Sequence, residues 1–214
     1  MKILVTGFNP FGGETVNPAY EAVKLLPDTI AGAEIIKKEI PTEFDRSVKE
    51  IEAAIEAYRP DIVLNVGQAG GRACVMVEKI GINLADARIP DNAGRQPIDE
   101  PLQNDGPAAY FATVPTRAMV QNVRKHGFPC QISYTAGTYV CNCVMYQVLH
   151  LCTTKYTDTK AGFIHVPYAC EQVVDKPGNT ASMPLDAITK SLEYAIEAAA
   201  LGMEEECLSM GTTC

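Results

Sequence analysis

Between Phe44 and Val66 the hydrophobic pattern changes period, and this change constrains the fold more than any other feature of the chain. Phe44, Val48, Ile51, Ile55 and Tyr58 recur at steps of three and four, the mark of an amphipathic helix. Thr42-Glu43-Phe44-Asp45 resembles a capping box at its start, and Pro60 ends it. Asp61 to Val66 then runs as an almost unbroken apolar strand, the kind buried on both faces of a parallel sheet.

The same alternation spans the chain. Lys2 to Thr6 predicts a first strand, closed by Gly7 and the loop Phe8 to Gly13. Asn17-Pro18 predicts a helix start, Asn as cap and Pro in the first turn, with helix from Ala19 to Leu26. Strands follow at Ala33–Ile40, Gln131–Tyr134 and Gly162–Val166, and helices at Thr116–Lys125, Thr138–Cys152 and from Pro184 to Ala199. The pattern predicts one α/β domain: an open, twisted, mostly parallel sheet with helices on both faces. Its span is residues 1–203, with 204–214 expected as a frayed tail. Residues 85–106 and 168–182 break the rhythm, as lids and binding loops do.

A net charge of -8 opposes binding to nucleic-acid backbones. The segment Met1 to Pro10 has neither a secretory core nor a membrane span, so a cytoplasmic protein is expected. The eight cysteines lack metal-ligand spacing, since Cys141-Asn142-Cys143 is the single close pair, and no metal site is expected. In a reducing compartment most of these thiols are expected to act as small buried hydrophobes.

The chain has three histidines. His126 and His150 fall at helix ends, where a structural role suffices. His165 closes the strand Phe163-Ile164-His165-Val166, and strand C-termini are where open α/β sheets place their ligand crevices. Cys141 follows a Gly turn into a helix, where the positive end of the helix dipole favours a thiolate. Cys143 points elsewhere around the same helix. Glu78 shares a strand face with Cys74, Met76 and Ile80, and a carboxylate on an apolar face needs a partner. It is a candidate to orient His165, with Asp86 and Asp91 as rivals. Phe8 and Phe11, after the first strand, suit core packing or an apolar clamp for a small ring.

Six ordered segments resemble the pyroglutamyl peptidase I family of cysteine peptidases. They are Gly7-Phe8-Asn9-Pro10-Phe11, Asn17-Pro18, Val66 to Arg72, Asp86 to Asn92, Ala136 to Asn142 and Gly162 to Pro167, and the likeness runs to about residue 200. The resemblance implies a catalytic Cys141, His165 and Glu78, although Lys79 stands where the family commonly has Arg. It implies a substrate pocket of Phe8, Phe11, Asn17, Gln68, Ile89 and Tyr139, supported by Arg88 and Asp91. It also implies removal of an N-terminal pyroglutamyl residue from peptides by acyl transfer, no cofactor, and a homotetramer. The other readings of the same residues are a cysteine amidase for a different small acyl group and an inactive ligand-binding relative. The tail cysteines Cys207 and Cys214 lie outside the resemblance and receive no role.

Overall fold

The computed structural model describes residues 1–205 and 208–211. Its strands are β1 Lys2–Phe8, β2 Thr29–Ile30, β3 Ala33–Ile40, β4 Ile62–Gln68, β5 Val75–Glu78, β6 Ile80–Ile82, β7 Ala109–Phe111, β8 Cys130–Ser133, β9 Lys160–Val166, β10 Tyr168–Ala169 and β11 Ser182–Met183. Its α-helices are α1 Pro18–Leu25, α2 Arg46–Tyr58, α3 Thr116–Lys125, α4 Val140–Thr154 and α5 Leu185–Ala200.

Seven strands form the central sheet in the order β2-β3-β1-β4-β9-β5-β8. The pairs β1–β3, β1–β4, β4–β9 and β5–β8 are parallel, whereas β2–β3 and β5–β9 are antiparallel. Helices α1, α3 and α5 pack together, and α2 packs on α4, so the apolar strands are covered on both faces. Strand β4 is buried at every position, as its unbroken apolar run requires.

Local chemistry explains where the elements begin and end. Asn17 caps α1 by accepting from the Ala19 N–H at 3.1 Å, and Pro18 opens the first turn. Helix α2 closes at Arg59 in a left-handed conformation, just before Pro60. The capping box expected at Thr42–Asp45 does not form: α2 starts at Arg46, its cap residue Asp45 is helical, and no side chain caps it. Tertiary bonds hold that stretch instead, with Asn9 accepting from the Thr42 N–H and Asp91 from the Phe44 N–H, each at 2.8 Å.

The segment after β9 is less irregular than its composition suggests. It contains the parallel pair β10–β11 and a 3₁₀ turn at Cys170–Val173. At the other end of the chain, Glu205 accepts from the Arg117 N–H at 2.9 Å, and the Arg117 guanidinium reaches the Leu208 carbonyl. Residues 206, 207 and 212–214 of the expected tail, which include Cys207 and Cys214, lie outside the described residues.

Candidate active site

The sheet register brings an imidazole and a carboxylate together. Strand β9 carries His165 one residue before its end, and antiparallel β5 runs beside it with Met76 opposite His165 and Glu78 opposite Phe163. Glu78 is therefore the diagonal same-face neighbour of His165. Its Oε1 lies 2.8 Å from His165 Nδ1, with Glu78 fully buried and His165 6% exposed. The rival carboxylates are engaged elsewhere. Asp86 is exposed and bound through its backbone to Thr138, while Asp91 accepts backbone N–H groups from Phe44, Ala93 and Arg95.

A turn and a helix start deliver the thiol. Gly137 adopts φ 78°, a left-handed conformation that a Cβ would strain, and its N–H donates to Thr135 Oγ1. Helix α4 then begins at Val140 with no side chain capping it, so Cys141 sits among first-turn amides that make the helix start electropositive. Asn142 fixes this turn: it donates to the carbonyls of Ile82 and Leu84 and accepts from the Ile82 N–H. Strand β4 passes directly beneath. A Cβ on Gly67 would stand 2.8 Å from Cys141 Sγ, and Gly67 is the register partner of His165.

Cys141 lies near enough to His165 to act on it electrostatically, so the imidazole stands between a thiol and a carboxylate. Burial is the largest single influence on His165 and favours its neutral form. The influence of Cys141, with the hydrogen bond and charge of Glu78, outweighs it and pushes the imidazole up to about 9. Burial pushes Cys130 and Cys143 up to about 12 and Cys152 up to about 11, and Cys143 Sγ rests against the Phe44 carbonyl. His126 and His150 are occupied away from the site, by the Asn122 carbonyl and by the Tyr110 hydroxyl.

An aromatic wall flanks the thiol. The Tyr139 ring lies 6.1 Å from Phe11 and meets Phe44 edge-on at 5.5 Å, and its hydroxyl donates to the Pro90 carbonyl. Buried Phe8 lies 6.3 Å from Phe163, which in turn lies 4.9 Å from His165. Ile89, 41% exposed, reaches toward Gly12.

Asn17 spends its amide inside the loop, on Ala19 and on the Asn9 carbonyl. Strand alternation turns Gln68 to the face opposite Gly67, where its Oε1 accepts from Gln172 at 2.9 Å. Arg88 is exposed and makes no hydrogen bond or ion pair among the described residues. Three residues that the sequence did not mark as site candidates belong to this neighbourhood: Gly67, Phe44 and Asn142. A polar Asn buried inside an otherwise apolar helix was the legible sign of the last. The other two owe their place to approaches between distant segments.

An open α/β sheet whose strand ends gather a helix-start thiol, a buried imidazole and a buried carboxylate has the parts of a cysteine hydrolase. Comparison with known proteins narrows that class. Residues 1–201 match the family model described as pyroglutamyl peptidase. The pyrrolidone-carboxylate peptidase of Enterococcus faecalis is 60% identical over 213 residues, and that of Treponema denticola 54% over 217, each with all of both chains covered. Among solved structures, Bacillus amyloliquefaciens pyroglutamyl peptidase I matches with a TM-score of 0.91 at 43% identity. The Thermococcus litoralis pyrrolidone carboxyl peptidase matches with 0.93 at 40%. Each covers 97% of this chain and 99% of its own. The chain belongs to the pyroglutamyl peptidase family.

Proposed function

We propose that this protein is a cysteine exopeptidase that hydrolyses the N-terminal pyroglutamyl residue from peptides, with Cys141 as nucleophile, His165 as acid-base and Glu78 as its orienter. The observation that carries the reading is the buried His165–Glu78 hydrogen bond at the strand ends, with the helix-start thiol of Cys141 beside it. Nδ1 of His165 is held by Glu78, which leaves Nε2 for the thiol and fixes the ring. The Cys141 thiolate attacks the pyroglutamyl carbonyl carbon, forming a C–S bond, and His165 gives its proton to the departing amine as the C–N bond breaks. Water, deprotonated by His165, then attacks the thioester, releasing pyroglutamate and restoring the thiol. First-turn amides of α4 suit the oxyanion.

The substrate ring is uncharged and flat. Phe11, Tyr139 and Ile89, with Phe8 behind them, supply an apolar surface of that kind. Asn17, Gln68, Arg88 and Asp91 serve as its polar frame, Asn17 and Asp91 by fixing the loops that carry the rings. The catalytic domain is residues 1–203, working in the cytoplasm as a homotetramer and without a cofactor. Among the described residues no helix is long and apolar enough to cross a membrane.

A panel of fluorogenic amides differing only in the acyl group tests this reading. Cleavage of the pyroglutamyl amide, lost in Cys141→Ala, is the expected result. Preference for another acyl group would make the protein a different amidase, and cleavage of none would make it a binder.

A further inference from the structure

Among the described residues, Glu78 Oε2 is the sole buried side-chain nitrogen or oxygen without a hydrogen-bond partner. Its twin oxygen is bound to His165 and the residue is fully buried, so half of a carboxylate stands without a donor in the interior. An ionised oxygen in that position draws any hydroxyl within reach.

Strand register points to one hydroxyl. Ser133 is the register partner of Glu78 across the parallel pair β5–β8, which sets the two side chains side by side on one face. Ser133 is 4% exposed, and its hydroxyl is held only by its own turn, donating to the Thr135 carbonyl at 3.1 Å and accepting from the Thr135 N–H at 3.4 Å. Rotation about one side-chain bond turns a serine hydroxyl among three staggered positions. A bond to a buried carboxylate is about twice as strong as one to a neutral carbonyl.

We propose that Ser133 is a positioning residue of the Cys141–His165–Glu78 chain, its hydroxyl turning from the Thr135 carbonyl to donate to Glu78 Oε2. It then anchors the carboxylate from the side opposite His165 and spreads its negative charge. Among the described residues, the charged groups near that oxygen are engaged elsewhere. Lys79 turns to Thr116 at 3.1 Å, Arg124 of α3 donates to the Cys130 carbonyl, and the titratable groups acting on His165 are Cys141 and Glu78. The role rests on the catalytic reading above.

The sign of the effect follows from the charge. A carboxylate that has lost a donor presents more of its charge to the one it retains, so His165 holds its proton more tightly in Ser133→Ala. With three histidines in the chain, the His165 ring can be followed by NMR titration of labelled imidazole, which needs no substrate. Ser133→Ala should move that titration upward by about half a pH unit or more. It should also lower kcat several-fold at unchanged KM, while Ser133→Thr, which keeps the hydroxyl, restores both. An unmoved or lowered titration in a folded Ser133→Ala, or a Ser133→Thr that behaves like it, overturns the proposal. A wild-type protein inactive on pyroglutamyl amides would sink the catalytic reading alone, because the titration still reports on Ser133.

Discussion

At Gly67 the backbone of β4 passes so close under Cys141 Sγ that no side chain fits, since real Cβ contacts do not fall to 2.8 Å. The same Cβ would meet Phe163 Cζ at 2.9 Å, so it is blocked on two sides. Gly67→Ala must displace the thiol, the Phe163 ring or the strand. Displacing a reacting group by about 1 Å costs on the order of 10²-fold in rate. Gly67→Ala is therefore expected to fold and to lose roughly that factor in kcat/KM on a pyroglutamyl amide. Steady-state kinetics beside a thermal melt measures both. A variant with wild-type kcat/KM would show that the sulfur does not depend on this approach.

At the scale of elements, the antiparallel entry of β5 beside β9 matters most, because it sets Glu78 diagonally next to His165. Glu78→Gln keeps the shape and removes the charge. The carboxylate is one of the influences that raise His165, so its titration in this variant should fall from about 9 toward the ordinary 6.5. The rate should drop ~10²- to 10⁴-fold, the usual worth of an oriented acid-base. An active variant with an unmoved imidazole would remove Glu78 from the mechanism.

The sequence announced Glu78 through its face, an acid among Cys74, Met76 and Ile80, but spacing could not choose it over Asp86 or Asp91. That choice depends on which strand lies beside β9, a long-range pairing that no local pattern encodes. The same holds for Phe44, which periodicity assigned to a helix. Asp91, 47 residues away, captures its N–H and keeps it in the loop facing Tyr139. By contrast Asn17-Pro18, the β4 run and the Gly137 turn into α4 were legible, because each is decided by its own few residues.

For the whole molecule, two loop systems close over one end of the sheet. Phe11 and Tyr139 come from different segments, and Asn92 ties the 85–106 region to the first loop by donating to the Pro10 carbonyl at 2.9 Å. Such a site offers apolar rings to a small uncharged ring, and rings alone do not separate pyroglutamyl from prolyl, which has nearly the same shape. The discrimination must come from groups paired with the lactam N–H and carbonyl. A site built to pair polar groups rejects analogues lacking them by ~10⁴ to 10⁵. The decisive measurement is kcat/KM for matched pyroglutamyl and prolyl amides, with Cys141→Ala as the blank. The account predicts rapid, Cys141-dependent cleavage of the first and a value lower by about four orders of magnitude or more for the second. Comparable values for the two, or cleavage that survives in Cys141→Ala, would contradict it.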